Sequence, residues 1–458
     1  MLNLFRTKTI ETQEHSPLKR CLTSVDLTLL GIGAIIGAGV FVLTGIAAAT
    51  KAGPAIVLCY LLAGTACAFS ALSYAELATS IGGCGSAYGY AYAGFGEIIA
   101  WIIGWDLLLE YGVACSAVAI GWSAYVNNSL TAIGLPLPKS LMAPPLEGGF
   151  IDLPATIIVL LLTALLAMGI RHSTRVNKMM VFVKLIAIAL FIAIAVPHID
   201  WANWHPFLPF GWKGIASGAA VIFFAYIGFD AVSTAAEEAI NPRRDLPRGI
   251  LASLAICTLV YMVVAGLLTA VAHYSTLNVS SPVSQVLLNL GYRWAGAVIA
   301  LGAIAGLTTV ILVMFYGLTR IMFAMSRDGL LPPIFSTVHP KTHTPMRVIV
   351  TSGIIIALIA GFIPMEHVAE FVNIGTLAAF CVVCAGVAIM RYTHPTLARP
   401  FKTPFSPLLP VLGIMACAYL MSHLSHITWI GFIVWTLLGL LFYFIYGFRY
   451  SKLALRTQ

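Results

Sequence analysis

Gly31-Ile32-Gly33-Ala34-Ile35-Ile36-Gly37-Ala38-Gly39-Val40-Phe41 lies in the middle of the first long apolar segment and carries four glycines in nine residues. A membrane helix normally completes its own backbone hydrogen bonds, because lipid offers no partner for a free N–H or C=O. Clustered glycine lowers the cost of leaving helical φ/ψ. At this depth a break is tolerable only where it lines a protein-enclosed or water-filled cavity. The stretch therefore reads as backbone whose freed groups hold a small charged solute. Gly33-x-x-x-Gly37 competes with that reading, since it is also the small-xxx-small spacing by which membrane helices pack closely. Gly31-x-Gly33 opens like a dinucleotide fingerprint, but no short strand precedes it and no βα unit follows, so that motif is excluded.

Composition bounds the class. With 458 residues, 60% hydrophobic, 9% charged and a mean hydropathy of +0.95, the chain is not an ordinary soluble protein. It reads as an all-α polytopic membrane protein with room for about a dozen spans of roughly 20 residues. The net charge of +8 needs no nucleic acid, because cytoplasmic loops collect Lys and Arg. The nine cysteines are scattered, and Cys59, Cys67, Cys257 and Cys417 sit inside apolar runs, as small buried residues do. Cys381-x-x-Cys384 also falls in a span, which disfavours metal or redox chemistry there. Residues 1–22 are polar and lack an apolar h-region, so no cleaved signal peptide is expected.

Apolar runs predict spans near 26–50, 54–78, 96–126, 151–170, 177–197, 211–236, 248–273, 293–325, 346–364, 367–390, 406–424 and 428–448. The loops on one side, counting Arg320 and Arg327 among them, hold 20 of the 25 Lys and Arg residues. The opposite loops hold only Lys51, Lys139, Lys213 and Arg293. That asymmetry predicts both termini in the cytoplasm and an even number of spans. The first cytoplasmic loop, residues 79–95, is uncharged and rich in small residues and tyrosine; it reads as an interfacial segment against moving helices or as a plain turn. Asn127-Asn128-Ser129 and Asn278-Val279-Ser280 fit the glycosylation pattern on the outer side.

The sixth run contains Phe223-Phe224-Ala225-Tyr226-Ile227-Gly228-Phe229-Asp230-Ala231-Val232-Ser233-Thr234. A mid-span glycine, an adjacent carboxylate and two hydroxyl residues suit an interrupted helix; a helix merely bent at Gly228 is the alternative. Position favours interruption. The two odd stretches fall five spans apart, so spans one to five and six to ten form two inverted halves. Paired interrupted segments in corresponding positions point to a transporter site at the repeat interface. The expected division is a tail over 1–22, repeats over 23–200 and 201–392, two further helices over 393–448, and a tail over 449–458.

Three charges are expected inside the membrane. Lys184, in the fifth run, is the one basic residue outside the loops by this count. A lysine at a helix centre costs roughly 2.5–3.5 kcal/mol on insertion scales. It either snorkels to the cytoplasmic interface or donates to unwound backbone carbonyls, where other transporters hold a sodium ion. A fixed cation there would remove the need for sodium and favour proton coupling, and burial would make it titratable. Asp106 and Glu110 lie one turn apart on one face of the third run. Glu110 is the candidate proton carrier, with a structural acceptor for backbone groups as the alternative. Glu76 ends the second run and is expected at the interface. Glu237, Glu238, Arg243, Arg244 and Asp245 form a mixed loop, either a solvated surface or gate-side ion pairs. The spans offer no His/Asp/Glu constellation at metal-ligand spacing and no Ser/His/Asp set at one depth, which disfavours an enzyme. Few buried charges argue against a channel.

The glycine stretch, Phe224-Ala-Tyr-Ile-Gly-Phe-Asp230, and Tyr316-Gly-Leu-Thr-Arg320 through Ser326-Arg-Asp-Gly-Leu-Leu-Pro332 together resemble the amino acid–polyamine–organocation superfamily. Within it the chain is similar to bacterial twelve-helix members of the cationic amino acid transporter family. The resemblance implies a five-plus-five inverted repeat with two further helices and the first and sixth spans interrupted. It also implies proton-coupled uptake of amino acids across the cell membrane by alternating access, with exchange of one amino acid for another as the alternative. By that likeness the substrate carboxylate meets N–H groups around Gly37, Ala38 and Gly39, and its ammonium meets carbonyls of Ile35, Phe224, Ala225 and Ile227. Phe224 would gate the site, Met314 would limit the side-chain pocket, and Asp230 and Tyr261 would line it. Lys184 matches the lysine that takes the sodium position, and Glu110 the glutamate tied to the proton cycle. No cofactor, metal or nucleic acid is implied; the partners are an amino acid and the bilayer, with room for a small single-span membrane partner. Ala38 stands where relatives often have Ser or Thr, so a hydroxyl contact to the carboxylate is lost. Bulky Met314 favours small or neutral side chains.

Overall fold

The computed structural model describes residues 4–8, 20–81, 86–132, 134–135, 137–279, 281–363 and 366–456. Most of the expected N-terminal tail and Ser280 of the second glycosylation pattern lie outside the described residues, as do residues 82–85 of the tyrosine-rich loop.

Every apolar run of the sequence is helical. The first crossing is in two pieces, α1 (Ser24–Ile35) and α2 (residues 39–52, part α and part π). Then follow α3 (Ile56–Ser80), the short α4 (Ser86–Gly94), α5 (Glu97–Ala132), α6 (Leu153–Ala167) and α7 (Ile170–Ala195). The sixth crossing is again in two pieces, α8 (Gly211–Ile222) and α9 (Ala231–Thr234). It leads to α10 (Pro242–Val271), the short α11 (Pro282–Asn289), α12 (Arg293–Arg327), α13 (Met346–Phe362), α14 (Glu366–Thr393), α15 (Leu408–Met421) and α16 (His426–Phe442). Among the described residues there is no β-strand, only two isolated bridges. The molecule is an all-helical polytopic membrane protein.

Local chemistry sets the frame. α1 opens with a reciprocal capping box in which Asp26 N–H donates to Thr23 Oγ1 at 3.3 Å and Thr23 N–H donates to Asp26 Oδ2 at 2.9 Å. Lys178 of α7 pairs with the same aspartate. α5 and α12, at 36 and 35 residues, are longer than a bilayer requires. They lie against each other, with α7 on the far side of α12, while α10 lies between α1 and α3. α16 turns Ile427, Ile430, Ile433, Leu437 and Leu441 outward, the apolar face a lipid-exposed helix carries.

The described residues near the two chain ends lie on one face of the bundle, called here the terminal face. Lys8 N–H donates to Tyr92 O at 3.1 Å and its Nζ reaches Asp328 at 2.5 Å. Near the C-terminus, Tyr443 and Ser451 donate to buried Glu97 at 2.8 and 2.5 Å. The uncharged loop is no plain turn over its described part. It forms α4, with Tyr88, Tyr90 and Tyr92 buried and Tyr88 donating to Asp328 at 2.8 Å. Two further expectations are corrected. Glu76 is buried, because Arg391 grips it with two bonds of 2.9 and 2.6 Å and Thr403 N–H donates to it at 2.7 Å. Arg320 is no loop residue but a buried side chain of α12, neutralised by Glu238 at 2.7 Å.

Candidate substrate site

The two interrupted crossings touch at their breaks. α1 ends at Ile35, Ile36 turns extended at φ −75° and ψ 100°, and helical turns resume at Ala38. In the sixth crossing a 3-10 turn over Phe223–Tyr226 follows α8, Ile227 is at ψ 132°, and Gly228 takes φ +115° before α9 begins. Two glycines permit the approach. A Cβ on Gly228 would stand 2.8 Å from the Ala34 side chain, on a backbone that L side chains avoid, and a Cβ on Gly39 would stand 2.2 Å from that of Ala225.

Side chains take up the carbonyls that the α1 break sets free. Lys184 of α7 is fully buried, and its Nζ lies 2.9 Å from Ile32 O, 3.1 Å from Gly33 O, 2.8 Å from Ile36 O and 2.9 Å from Thr309 Oγ1. It does not snorkel. Thr309 in turn donates to Gly33 O at 2.9 Å. The Tyr261 hydroxyl of α10 bridges the two breaks, 2.6 Å from Ile35 O and 2.9 Å from Ala225 O. Tyr60 and Tyr125 tie α2 in place by donating to Gly39 O at 3.1 Å and Phe41 O at 3.0 Å. Ile35 O and Ala225 O each keep a second lone pair beyond the bond from Tyr261, so their acceptor capacity is not exhausted.

Between the breaks lies a cavity of about 20 Å³, room for a single water. Ala34, Ile35, Ala38, Gly39, Phe224 and Ile227 line it from the breaks, Ala114 and Val118 from α5, and Val310 and Met314 from α12. No titratable side chain is among them. What polarity the cavity has comes from peptide groups, and the first N–H groups of α2 open a helix whose dipole favours an anion. Tyr261 and Ala225 stand behind the lining, and Gly37 packs against Val310. Asp230 does not line the cavity. Its carboxylate receives the Tyr111 hydroxyl and its own Gly228 N–H, so it braces the break. Glu110, next to Tyr111, is buried, and both oxygens lack a hydrogen-bond partner, with Thr376 of α14 facing it.

The cavity wall is buried throughout, 7% exposed at Ala38, 8% at Val310 and 1% at Met314, and contacts on the terminal face close the helices over it. There Glu238 receives Arg320 and Tyr316, Glu237 receives Arg327 at 2.9 Å, and residues 21–22 hydrogen-bond to residues 238–240. Of the two readings of the mixed loop, ion pairing rather than a solvated surface is what Glu237 and Glu238 do; their partners on α12 lie too far along the chain to be read from the loop.

Comparison with known proteins agrees with this architecture. The amino acid permease profile matches residues 22–446. The chain is 48% identical to the branched-chain amino acid permease BcaP of Bacillus subtilis, over 98% of this chain and 99% of that one. It is 46% identical to the methylthioribose transporter of the same organism, over 99% and 100%. Human cationic amino acid transporter 4 is 31% identical over 98% of this chain and 90% of its own length. A chain with two broken crossings meeting at a small cavity, matched over nearly its whole length by such transporters, belongs to the amino acid permease family of the amino acid–polyamine–organocation superfamily.

Proposed function

We propose that this protein is a secondary active transporter of the cell membrane that carries an amino acid with an apolar side chain, together with a proton, into the cell by alternating access. The observation that carries the reading is the contact of two broken crossings around an apolar cavity whose polar groups are peptide N–H and C=O. A zwitterion suits it: the carboxylate at the N–H groups of Ala38 and Gly39, the ammonium at the carbonyls of Ile35, Phe224, Ala225 and Ile227. The side chain then faces Ala114, Val118, Val310 and Met314, where a guanidinium or lysine ammonium would meet no counter-charge and would stay unpaired at a cost of several kcal/mol. Ligand sites usually enclose about 300 Å³ or more, so Phe224 and its neighbours move apart when substrate binds.

With Lys184 in the seat a sodium ion would need, the proton is the coupling ion and Glu110 its carrier; no sodium or cofactor is called for. The terminal face is cytoplasmic, which fits the Lys and Arg distribution, so its ion pairs form the inner gate. The breaks in the first and sixth crossings fit a five-plus-five inverted repeat.

Two other readings have support of their own. Exchange of one amino acid for another uses the same site, and the methylthioribose transporter relative offers an uncharged solute with a thioether tail. Purified protein in liposomes separates them. Labelled leucine should enter empty vesicles under an inward acid gradient, and excess unlabelled isoleucine should suppress that uptake far more than arginine or methylthioribose does. Uptake that requires preloaded amino acid would make the protein an exchanger; suppression by methylthioribose alone would remove the amino acid assignment.

A further inference from the structure

Asp106 is a buried acid that the site just described does not use. It lies four residues before Glu110 on α5, hence one helical turn nearer the terminal face. It is 2% exposed, and neither carboxyl oxygen has a hydrogen-bond partner. Glu110, at 1% exposure, is in the same condition. Gly375 of α14 presses on the Asp106 carboxyl so closely that a Cβ there would stand 2.7 Å from Oδ1.

The surroundings of the pair hold no neutralising charge. On α5 the two acids share one face, with Tyr111 next to Glu110; α14 presents Thr376 to Glu110 and Gly375 to Asp106, and α3 brings the buried Tyr74 hydroxyl near Glu110. From the α8–α9 break comes Asp230, a third carboxyl. Among the described residues no Lys, Arg or His forms an ion pair with either acid; the buried cations Lys184 and Arg320 are engaged elsewhere. An ionised carboxylate without partners in such a place costs several kcal/mol, whereas the protonated acid costs far less. Two carboxylates one turn apart would also repel each other.

We propose that Asp106 is a second proton-holding residue, the step between Glu110 and the terminal face. While the ion pairs hold the terminal face closed, both acids carry a proton. When the terminal face opens, Asp106 gives its proton to water, and the Glu110 O–H bond then breaks as a new O–H bond forms on Asp106. The first transfer leaves Asp106 a carboxylate and the water a hydronium ion; the second leaves Glu110 a carboxylate and Asp106 a neutral acid. The inference rests on the proton-coupled reading above, and it predicts something that reading does not: the acids titrate as a pair.

Infrared spectroscopy of the protein in liposomes reads this without a transport assay. Asp106→Asn should remove one of two carbonyl-stretch bands of protonated carboxylic acids, and Glu110→Gln should remove the other and leave the Asp106 band in place. In the same vesicles Asp106→Asn should lower pH-gradient-driven leucine accumulation by roughly tenfold or more, while leucine counterflow stays within about twofold of wild type. A spectrum unchanged by Asp106→Asn would overturn the proposal, as would loss of the band with gradient-driven accumulation intact, which would make Asp106 a neutral filler. Should Asp106→Asn fail to fold, the Glu110→Gln spectrum decides: one remaining band supports the proposal and none overturns it. Wild-type uptake that ignores the gradient would end both the coupling reading and the relay, while the band would still tell whether Asp106 holds a proton.

Discussion

In the first crossing the freed carbonyls are taken up by side chains from far along the chain, whereas the sixth crossing is broken largely by its own residues. Lys184, Thr309 and Tyr261 reach the α1 carbonyls from three other helices. At the other break Ile227 N–H closes onto Phe224 O at 3.3 Å, Gly228 N–H onto Asp230 at 3.3 Å, and Gly228 supplies the positive φ. Tyr261 and Tyr111 come in from outside, and Tyr226 of the break donates to Tyr60 O at 2.8 Å. A break held by a distant charge can be loosened by anything that changes that charge, while one held by local backbone geometry is fixed in shape. A change of charge should therefore loosen α1 before it loosens the α8–α9 turn.

Lys184→Ala is the most severe test of that difference. It leaves the buried Ile36 carbonyl without its donor, at about 1–3 kcal/mol, and takes from Ile32 O one of its two donors, the Ile36 N–H remaining. Transport should be lost, thermal unfolding should occur at a clearly lower temperature, and hydrogen exchange should rise over residues 30–41 but not over 222–231. Exchange rising equally in both would mean that the breaks are one unit. Gly228→Ala is expected next: about 1–2 kcal/mol for the disallowed backbone and about 1–3 kcal/mol for overpacking against Ala34. Here exchange should rise first over 222–231. Tyr261→Phe removes the one hydroxyl shared by both breaks. A loss of about 1–3 kcal/mol in stability, with leucine binding weakened, would mark it as the hinge between them; wild-type binding would mean that the breaks dock without it. The smallest effect belongs to Met314→Ala, which widens the α12 wall without touching either break. It should shift preference from valine toward phenylalanine by about tenfold, roughly 1.4 kcal/mol, as competition for labelled leucine would report.

The sequence carried the breaks because glycine clusters at mid-depth conflict with the demand that a membrane helix satisfy its own backbone. The spacing of five crossings between them carried the architecture. Lys184 was legible for the same reason, as a charge too deep for its surroundings. Other features were not legible, and the causes are physical. Residues 86–94 form a helix with tyrosines on all sides, so no polar face marks it out. Glu76 and Arg391 are 315 residues apart, and Glu238 and Arg320 are 82 apart; such pairings are set by tertiary packing, so each residue alone read as interfacial or loop. Asp230 read as a pocket residue because its segment lines the site, but the turn at Gly228 rotates its carboxyl toward Tyr111.

The central claim is that a lysine in the first crossing's break replaces a metal cation, so that a proton drives leucine uptake through this site. Liposomes containing the wild-type protein or Lys184→Ala, free of sodium and given an acid exterior, test it in one measurement of labelled leucine accumulated against its gradient. The account predicts accumulation that grows with the imposed pH difference, vanishes with a protonophore, does not change on adding sodium, and is absent in Lys184→Ala. Accumulation that requires sodium, or that proceeds in Lys184→Ala as in wild type, would contradict it.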